Sequence, residues 1–252
     1  MNEHEPTPEY LTRADGVRIA FRRVGSSKKN AAPTIVFLPG YMSDMSGSKA
    51  LALEAWAIKN NRAMLRLDYS GCGQSEGRFA DSTFETWRDD VLLAIEMLVR
   101  GPVLIVGSSM GGWLMLLVAE ALGAQVAGLI GIAAAPDFTD WGFGPDEINV
   151  IERDGVLLAP NPYGPEPTPT YRGLYRSGKK LEMLSREIAI DCPVRLVHGQ
   201  RDADVPWKVA LKLAAALRSS DVQLTLIKDG DHRLSRDADI ALLLETVARF
   251  PA

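Results

Sequence analysis

Serine sits at the centre of two Gly-x-Ser-x-Gly matches, Gly107-Ser108-Ser109-Met110-Gly111 and Gly73-Gln74-Ser75-Glu76-Gly77. A serine hydroxyl becomes a useful nucleophile near neutral pH only when an imidazole takes its proton, and that imidazole needs a carboxylate to set its tautomer. The letters alone are weak, because a random chain of this length shows such a match in about one case in ten. The flanks separate the two. Ser109 follows the apolar run Leu104-Ile105-Val106 and opens the long apolar stretch Met110 to Leu122, with glycine two positions to either side. A sharp strand-to-helix turn needs this layout, since its two backbones pass too close for larger residues. Ser75 follows Asp-Tyr-Ser-Gly-Cys-Gly and precedes no immediate helix, so it reads as a loop residue.

Only three histidines are available to activate the serine. His4 lies in a polar N-terminal segment. His198 closes the strand-like run Val-Arg-Leu-Val-His and reads as a structural group. His232, in Asp229-Gly230-Asp231-His232-Arg233, falls between the last predicted strand and the last predicted helix, where a parallel sheet presents side chains. For the acid, Asp202 and Asp204 both lie in the loop His198 to Pro206, between a strand and a helix, and this local reading leaves both open. Serine, then aspartate, then histidine is the chain order of one known triad class and not of the chymotrypsin or subtilisin types.

Alternating patterns supply the elements that must hold these groups. Strands are predicted at Val17 to Val24, Thr34 to Leu38, Ala63 to Asp68, Val103 to Gly107, Val126 to Ala135, Val194 to His198 and Val222 to Lys228. Helices are predicted at Lys49 to Asn60, from a capping box at Ser82 and Glu85 to Val99, at Met110 to Leu122, Trp207 to Leu217 and Arg236 to Phe250. Strands that are continuous apolar runs imply a mainly parallel sheet covered on both faces, an α/β architecture. Between Asp137 and Asp191 the rhythm stops and no strand is evident, so residues 137–190 read as an inserted lid on a core of 1–136 and 191–252. The lid's Trp141, Phe143, Leu157, Leu158, Tyr163, Tyr171 and Tyr175 suit an acyl pocket or the lid's own small core equally. Its Arg172, Arg176, Lys179 and Lys180 read as solvated surface.

Across nearly its whole length the sequence resembles the α/β-hydrolase fold superfamily, which implies a mostly parallel sheet of about eight strands flanked by helices. The family's acid motif HGxxDxxVP lines up with His198 to Pro206 and selects Asp202 over Asp204. The stretch Asp68 to Ser75, DYSGCGQS, is similar to the family's loop after its fourth strand, which accounts for the second serine match. More narrowly, FLPGYMSDMSGSKA, GSSMGGWLM and DHRLS resemble the acyl-protein (palmitoyl) thioesterase and acyl-glucuronide esterase subgroup. That resemblance implies hydrolysis of thioesters or activated esters of small molecules or acylated proteins by a triad of Ser109, Asp202 and His232. The oxyanion hole then falls to the backbone N–H groups of Met110, at a helix start, and Tyr41, in the loop where Gly40 leaves room. A general carboxylesterase of small esters, a serine peptidase and a non-catalytic ligand-binding protein on the same fold are the competing readings.

A net charge of −4 with no basic run beyond Lys179-Lys180 argues against nucleic acid as a partner. Three scattered histidines do not make zinc-ligand spacing, Gly71-Cys72-Gly73 lacks the third glycine of a dinucleotide fingerprint, and no cofactor is implied. Trp113 to Pro136 is apolar enough to mimic a membrane span, but Glu120, Gln125 and the Leu122-Gly123 stop divide it into a helix and a strand, so no integral membrane association is expected. Cys72 and Cys192 are too few for a disulfide framework and read as inert. These thiols, with an acidic, polar start that lacks an Arg-rich segment, lead to the expectation of a cytoplasmic setting.

Overall fold

The computed structural model describes residues 7–25, 32–162 and 164–250. Strand β1 (Glu9–Thr12) and strand β2 (Arg18–Val24) form an antiparallel hairpin. Strand β3 (Thr34–Leu38), helix α1 (Ser48–Lys59) and strand β4 (Met64–Leu67) make the first parallel crossover. Helix α2 (Phe84–Leu98), strand β5 (Val103–Ser108), helix α3 (Met110–Leu122) and strand β6 (Val126–Ile132) follow. Next come helices α4 (Phe138–Trp141) and α5 (Pro145–Asp154), strands β7 (Val156–Ala159) and β8 (Thr168–Tyr171), and helix α6 (Arg172–Lys180). Strand β9 (Val194–Gly199), helix α7 (Lys208–Ala216), strand β10 (Val222–Ile227) and helix α8 (Asp237–Ala248) complete the chain.

Eight strands form one sheet in the order β1-β2-β4-β3-β5-β6-β9-β10. Only the β1/β2 and β2/β4 pairs are antiparallel. The period of two along each buried strand sorts its side chains between two apolar layers. Val36 and Leu38 of β3, with Val103 and Ile105 of β5, face Trp87, Val91 and Ile95 of α2 and the apolar side of α3. Ile35 and Phe37, with Leu104 and Val106, face Ala50, Leu53 and Ala57 of α1 and Leu243 and Val247 of α8. Helices therefore cover both faces, as the continuous apolar strands require.

The chain leaves β3 toward β4 and then returns to place β5 on the other side of β3. At this reversal of strand order the loops after β3 and β5 diverge, which opens a crevice at the carboxyl ends of the strands. The loop Pro39 to Gly47 lies on one side of it and the start of α3 on the other.

Three local expectations change. The start contributes the edge strand β1, whose short length and polar composition hid it. The segment from 137 to 190 does contain strands: β7 and β8 pair as a separate antiparallel ribbon, with Val156 opposite Tyr171 and Ala159 opposite Thr168. Two four-residue strands, one of them interrupted by Pro169, carry too little alternation to be seen in sequence. The capping box at Ser82 is displaced by one residue. Thr83 is the N-cap of α2, its Oγ1 accepting from Thr86 N at 3.1 Å, while Ser82 Oγ donates to Ser70 O and the Glu85 carboxylate is taken by the Ser177 hydroxyl of α6. Thr83→Ala is therefore expected to cost about 1 kcal/mol, read as a melting temperature lower by about 2–4 °C, where a cap at Ser82 would leave it unchanged.

Candidate active site

Ser109 is the turn between β5 and α3 and holds φ 55°, ψ −121°, a conformation that costs a side-chain-bearing residue about 1–3 kcal/mol. Its backbone is pinned on both sides: its N–H donates to Ile132 O at 2.9 Å, and its carbonyl accepts from Gly112 N at 2.8 Å and Ala135 N at 3.0 Å. The flanking glycines are sterically obligatory. A Cβ on Gly107 would lie 2.4 Å from Gly111 O, and one on Gly111 would lie 2.2 Å from Leu38 O. This turn lifts the Ser109 hydroxyl into the crevice, 3.0 Å from Nε2 of His232.

His232 and Asp202 are carried by neighbouring loops. The parallel β9/β10 pair brings their carboxyl ends together, and Gln200 N donates to Ile227 O and Arg201 N to Gly230 O. His232 Nδ1 then lies 2.9 Å from Asp202 Oδ2, an arrangement in which Nδ1–H donates to the carboxylate and Nε2 is left to accept from the serine O–H. Lys49 of α1 steadies the same loop by donating from Nζ to Arg233 O at 2.6 Å.

The Asp202 side chain is buried and fully engaged. Its Oδ1 accepts from the N–H groups of Asp204 (2.9 Å) and Val205 (2.8 Å), while Oδ2 faces His232 and also lies 3.1 Å from Nε2 of His198. Burial pushes this carboxyl upward, but the hydrogen bonds from His198 and His232, the charge of His232 and the Val205 N–H outweigh it and hold the group well below the usual carboxylate range. A carboxyl that titrates lower in the folded protein than in the unfolded chain adds stability that is complete above about pH 4 and is lost as pH falls through its depressed folded value. Denaturant midpoints followed downward from about pH 5 are thus expected to fall more steeply for the wild type than for Asp202→Asn, which has no proton to take up. Equal slopes would contradict the assignment.

Ser109, Asp202 and His232 thus meet at one place, and Asp204 supports the carboxylate by donating its backbone N–H to Oδ1. His198, read from sequence as structural, touches the acid, and no local signal distinguishes such a histidine from any other at a strand end. His4 lies outside the described residues. Ser75 is a loop strut: its Oγ donates to Asp68 O at 2.6 Å and accepts from Ala20 N at 2.8 Å. Burial pushes the thiol of Cys72 up to about 12 and that of Cys192 to about 11, so neither supplies a thiolate near neutral pH. Asp202, Asp204 and His232 place ligand-type atoms within 4.8 Å of one another. Protein donors already occupy both Asp202 oxygens, and the hydrogen bonds of the relay account for the grouping.

The crevice is a cavity of about 570 Å³ whose lining includes Ser109, Met110, His232, Tyr41, Phe138 and Trp141. A Cβ on Gly40 would lie 3.3 Å from the Cβ of Ser109, so the Gly40-Tyr41 backbone passes directly beside the hydroxyl. The Tyr41 ring packs on Phe79, Trp87 and Phe138, and its O–H donates to Pro169 O in β8 at 2.6 Å. Burial holds that phenol far above its ordinary range, so it remains a donor at every working pH.

Of the apolar residues singled out between 137 and 190, Trp141 lines the cavity, its Nε1–H donating to Pro136 O. Phe143 packs on Tyr175 and Phe138, Tyr171 on Phe79, Leu157 is half-buried, Leu158 is exposed, and Tyr163 lies outside the described residues. Phe138, not singled out, joins the cavity to the aromatic cluster. Arg176 pairs with Glu152, Lys179 with Asp140 and Glu182, and Arg172 donates to Glu152 O, so these cations brace their own segment, while Lys180 is exposed.

A strand-order reversal carrying a strained serine at its centre defines a hydrolase scaffold, and the sequence comparison agrees: residues 35–246 match the alpha/beta hydrolase family. The chain belongs to that family. It is 40% identical over 250 residues to the bovine palmitoyl-protein thioesterase ABHD10, mitochondrial, a match covering 97% of this chain and 80% of the relative. Among solved structures it is similar to mouse alpha/beta hydrolase domain-containing protein 10 (37% identity, TM-score 0.88, covering 96% of this chain and 97% of that one). It is also similar to an Agrobacterium vitis S4 protein solved by crystallography (35% identity, TM-score 0.91, covering 96% and 98%).

The cytoplasmic expectation does not stand, because the relatives at about 40% identity are named as mitochondrial proteins. Two thiols without a disulfide specify a redox condition and not a compartment, and the polarity of a few leading residues carries no weight against those relatives. No helix among the described residues is long and apolar enough to cross a membrane, and the decoy stretch divides into α3 and β6.

Proposed function

We propose that this hydrolase cleaves carboxylic thioesters and esters through Ser109, His232 and Asp202, with residues 137–190 acting as a lid on the core of 1–136 and 191–252. The observation that carries the reading is the continuous relay from Ser109 Oγ to His232 Nε2 (3.0 Å) and from His232 Nδ1 to Asp202 Oδ2 (2.9 Å). Relatives named as palmitoyl-protein thioesterases support the ester and thioester class.

The reaction follows from the geometry. His232 takes the Ser109 proton as Oγ attacks the acyl carbon, and Asp202 stabilises the imidazolium that forms. Charge develops on the former carbonyl oxygen, toward which the N–H groups of Tyr41 and Met110 are assigned. As the first residue of α3, Met110 has no intrahelical acceptor for its N–H. The intermediate collapses, the sulfur or oxygen leaving group departs with the proton from His232, and the acyl group stays on Ser109. Water, deprotonated by His232, then attacks the acyl-enzyme, and the carboxylic acid leaves with Ser109 restored. The apolar wall of Phe138 and Trp141 suits the acyl chain.

The test is a set of identical acyl chains presented as thioester, oxygen ester and amide, together with labelling by a fluorophosphonate probe. Turnover of thioester and ester above amide, with labelling confined to Ser109, is the expected result. Preference for the amide would indicate a peptidase, and an unlabelled, inactive protein would indicate a binding module.

A further inference from the structure

We propose that His198 is a positioning residue for the reaction: an uncharged imidazole whose Nε2–H, anchored on Val205 O, is set against Oδ2 of Asp202 and limits how strongly that carboxylate draws a proton onto His232. The proposal rests on the Ser109-His232-Asp202 reading above.

Its ground is the set of partners around the ring. His198 Nε2 lies 3.0 Å from Val205 O and 3.1 Å from Asp202 Oδ2. Both are acceptors, so the nitrogen between them must carry a proton. The other nitrogen, Nδ1, is buried and has no hydrogen-bond partner among the described residues. A proton there would be an unsatisfied buried donor, whereas a bare lone pair is the cheaper orphan. The ring and the Asp202 side chain are 1% and 0% exposed, so water does not supply the missing contact from bulk. The tautomer is thereby assigned as neutral, with the proton on Nε2.

Asp202 then faces four donor groups: two backbone N–H groups donate to Oδ1, His232 Nδ1 donates to Oδ2, and His198 Nε2, hydrogen-bonded to Val205 O, lies 3.1 Å from the same Oδ2. Two donors sharing one oxygen compete for its charge. Removing the His198 donor concentrates that charge on His232, which favours the imidazolium and makes His232 harder to keep in the neutral form that accepts from Ser109. The charged group beside this pair is Asp204 on the same turn; Asp231 and Arg233, which flank His232 in sequence, face Lys49 of α1, as does Asp239 of α8, and Arg201, which precedes the acid, faces Asp229. None of them changes in the variants below.

The experiment compares kcat/KM against pH for wild type, His198→Leu and His198→Gln on one short-chain thioester. In His198→Leu the acid limb is expected to move upward by about half a pH unit or more, with kcat reduced. His198→Gln, whose amide N–H reaches the same two acceptors, is expected to return the limb to the wild-type position. A folded His198→Leu variant with an unmoved limb, or a Gln variant that fails to restore it, overturns the proposal. Should the Leu variant fail to fold, long-range 1H–15N spectra of the wild type decide the matter. A His198 ring carrying its single proton on Nε2 is expected, and an Nδ1-protonated or doubly protonated ring would overturn it. These spectra do not depend on turnover, so a failure of the serine mechanism, seen as an active Ser109→Ala, is distinguishable from a failure here.

Discussion

Ser109→Ala is expected to lower kcat/KM toward thioesters by about 10⁴-fold or more, equivalent to about 5 kcal/mol or more of transition-state stabilisation. The residue left over reflects substrate binding and the oxyanion donors, which the substitution does not touch. Stability should respond quite differently. Ser109 holds φ 55° and ψ −121°, a strain that any Cβ-bearing residue shares. Alanine therefore keeps the strain and leaves the melting temperature near that of the wild type. Ser109→Gly relieves it and is expected to stabilise the protein by about 1 kcal/mol or more while abolishing turnover equally. Thermal melts and kinetics on the two variants together test both halves. If the alanine variant keeps substantial turnover, Ser109 is not the nucleophile, and if glycine gives no rise over alanine, the turn is not strained in solution.

Gly111→Ala should do more to the fold than to any single contact. The added methyl would fall 2.2 Å from Leu38 O, 2.4 Å from Pro39 O and 2.8 Å from Leu38 C, all backbone atoms at the end of β3. A flexible side chain could swing away, but backbone in a central strand cannot. Relief requires α3 to move off the sheet or β3 to bend, and both Met110 and the Gly40-Tyr41 loop move with them. Destabilisation of about 3 kcal/mol or more is expected, measured as a lower denaturant midpoint. Activity per folded molecule should fall as well, because the two assigned oxyanion donors shift relative to Ser109. Gly173→Ala in α6, where an added methyl meets nothing within 4 Å, is the control and should raise stability by about 0.5–1 kcal/mol. Equal effects at 111 and 173 would show that the close approach at Gly111 is not real.

The legible part of the site is the part written in short-range rules. Ser109 could be chosen over Ser75 because a strand, small residues at two fixed offsets and an immediate helix are all local properties of sequence. The same holds for β3, β5 and α3, whose apolar runs differ in length and period. Asp202 and Asp204 are two residues apart in the same loop, and local reading did not separate them. Resemblance to the family favoured Asp202, and in the fold its carboxylate meets His232 because the turn spends both neighbouring N–H groups, Asp204 and Val205, on Oδ1. The ribbon of β7 and β8 escaped because four residues with a proline carry almost no periodic signal. The cap of α2 moved from Ser82 to Thr83 because both residue types cap well and both are extended, and only the partners separate them: Thr83 Oγ1 accepts from Thr86 N, while Ser82 Oγ is turned to Ser70 O.

By itself, then, the amino-acid sequence determined the alternation of strands and helices, the burial of a mostly parallel sheet, the elbow at Ser109 and the order in which serine, acid and histidine arrive along the chain. Tertiary structure alone decided that His198 reaches the acid, that Tyr41 ties the loop beside the nucleophile to β8, and that Phe138 joins the cavity wall to the aromatic cluster. The division has a physical cause. Periodicity, turns and caps are settled by residues within a few positions of each other, whereas these contacts join groups that meet only once strands distant along the chain have been ordered in one sheet.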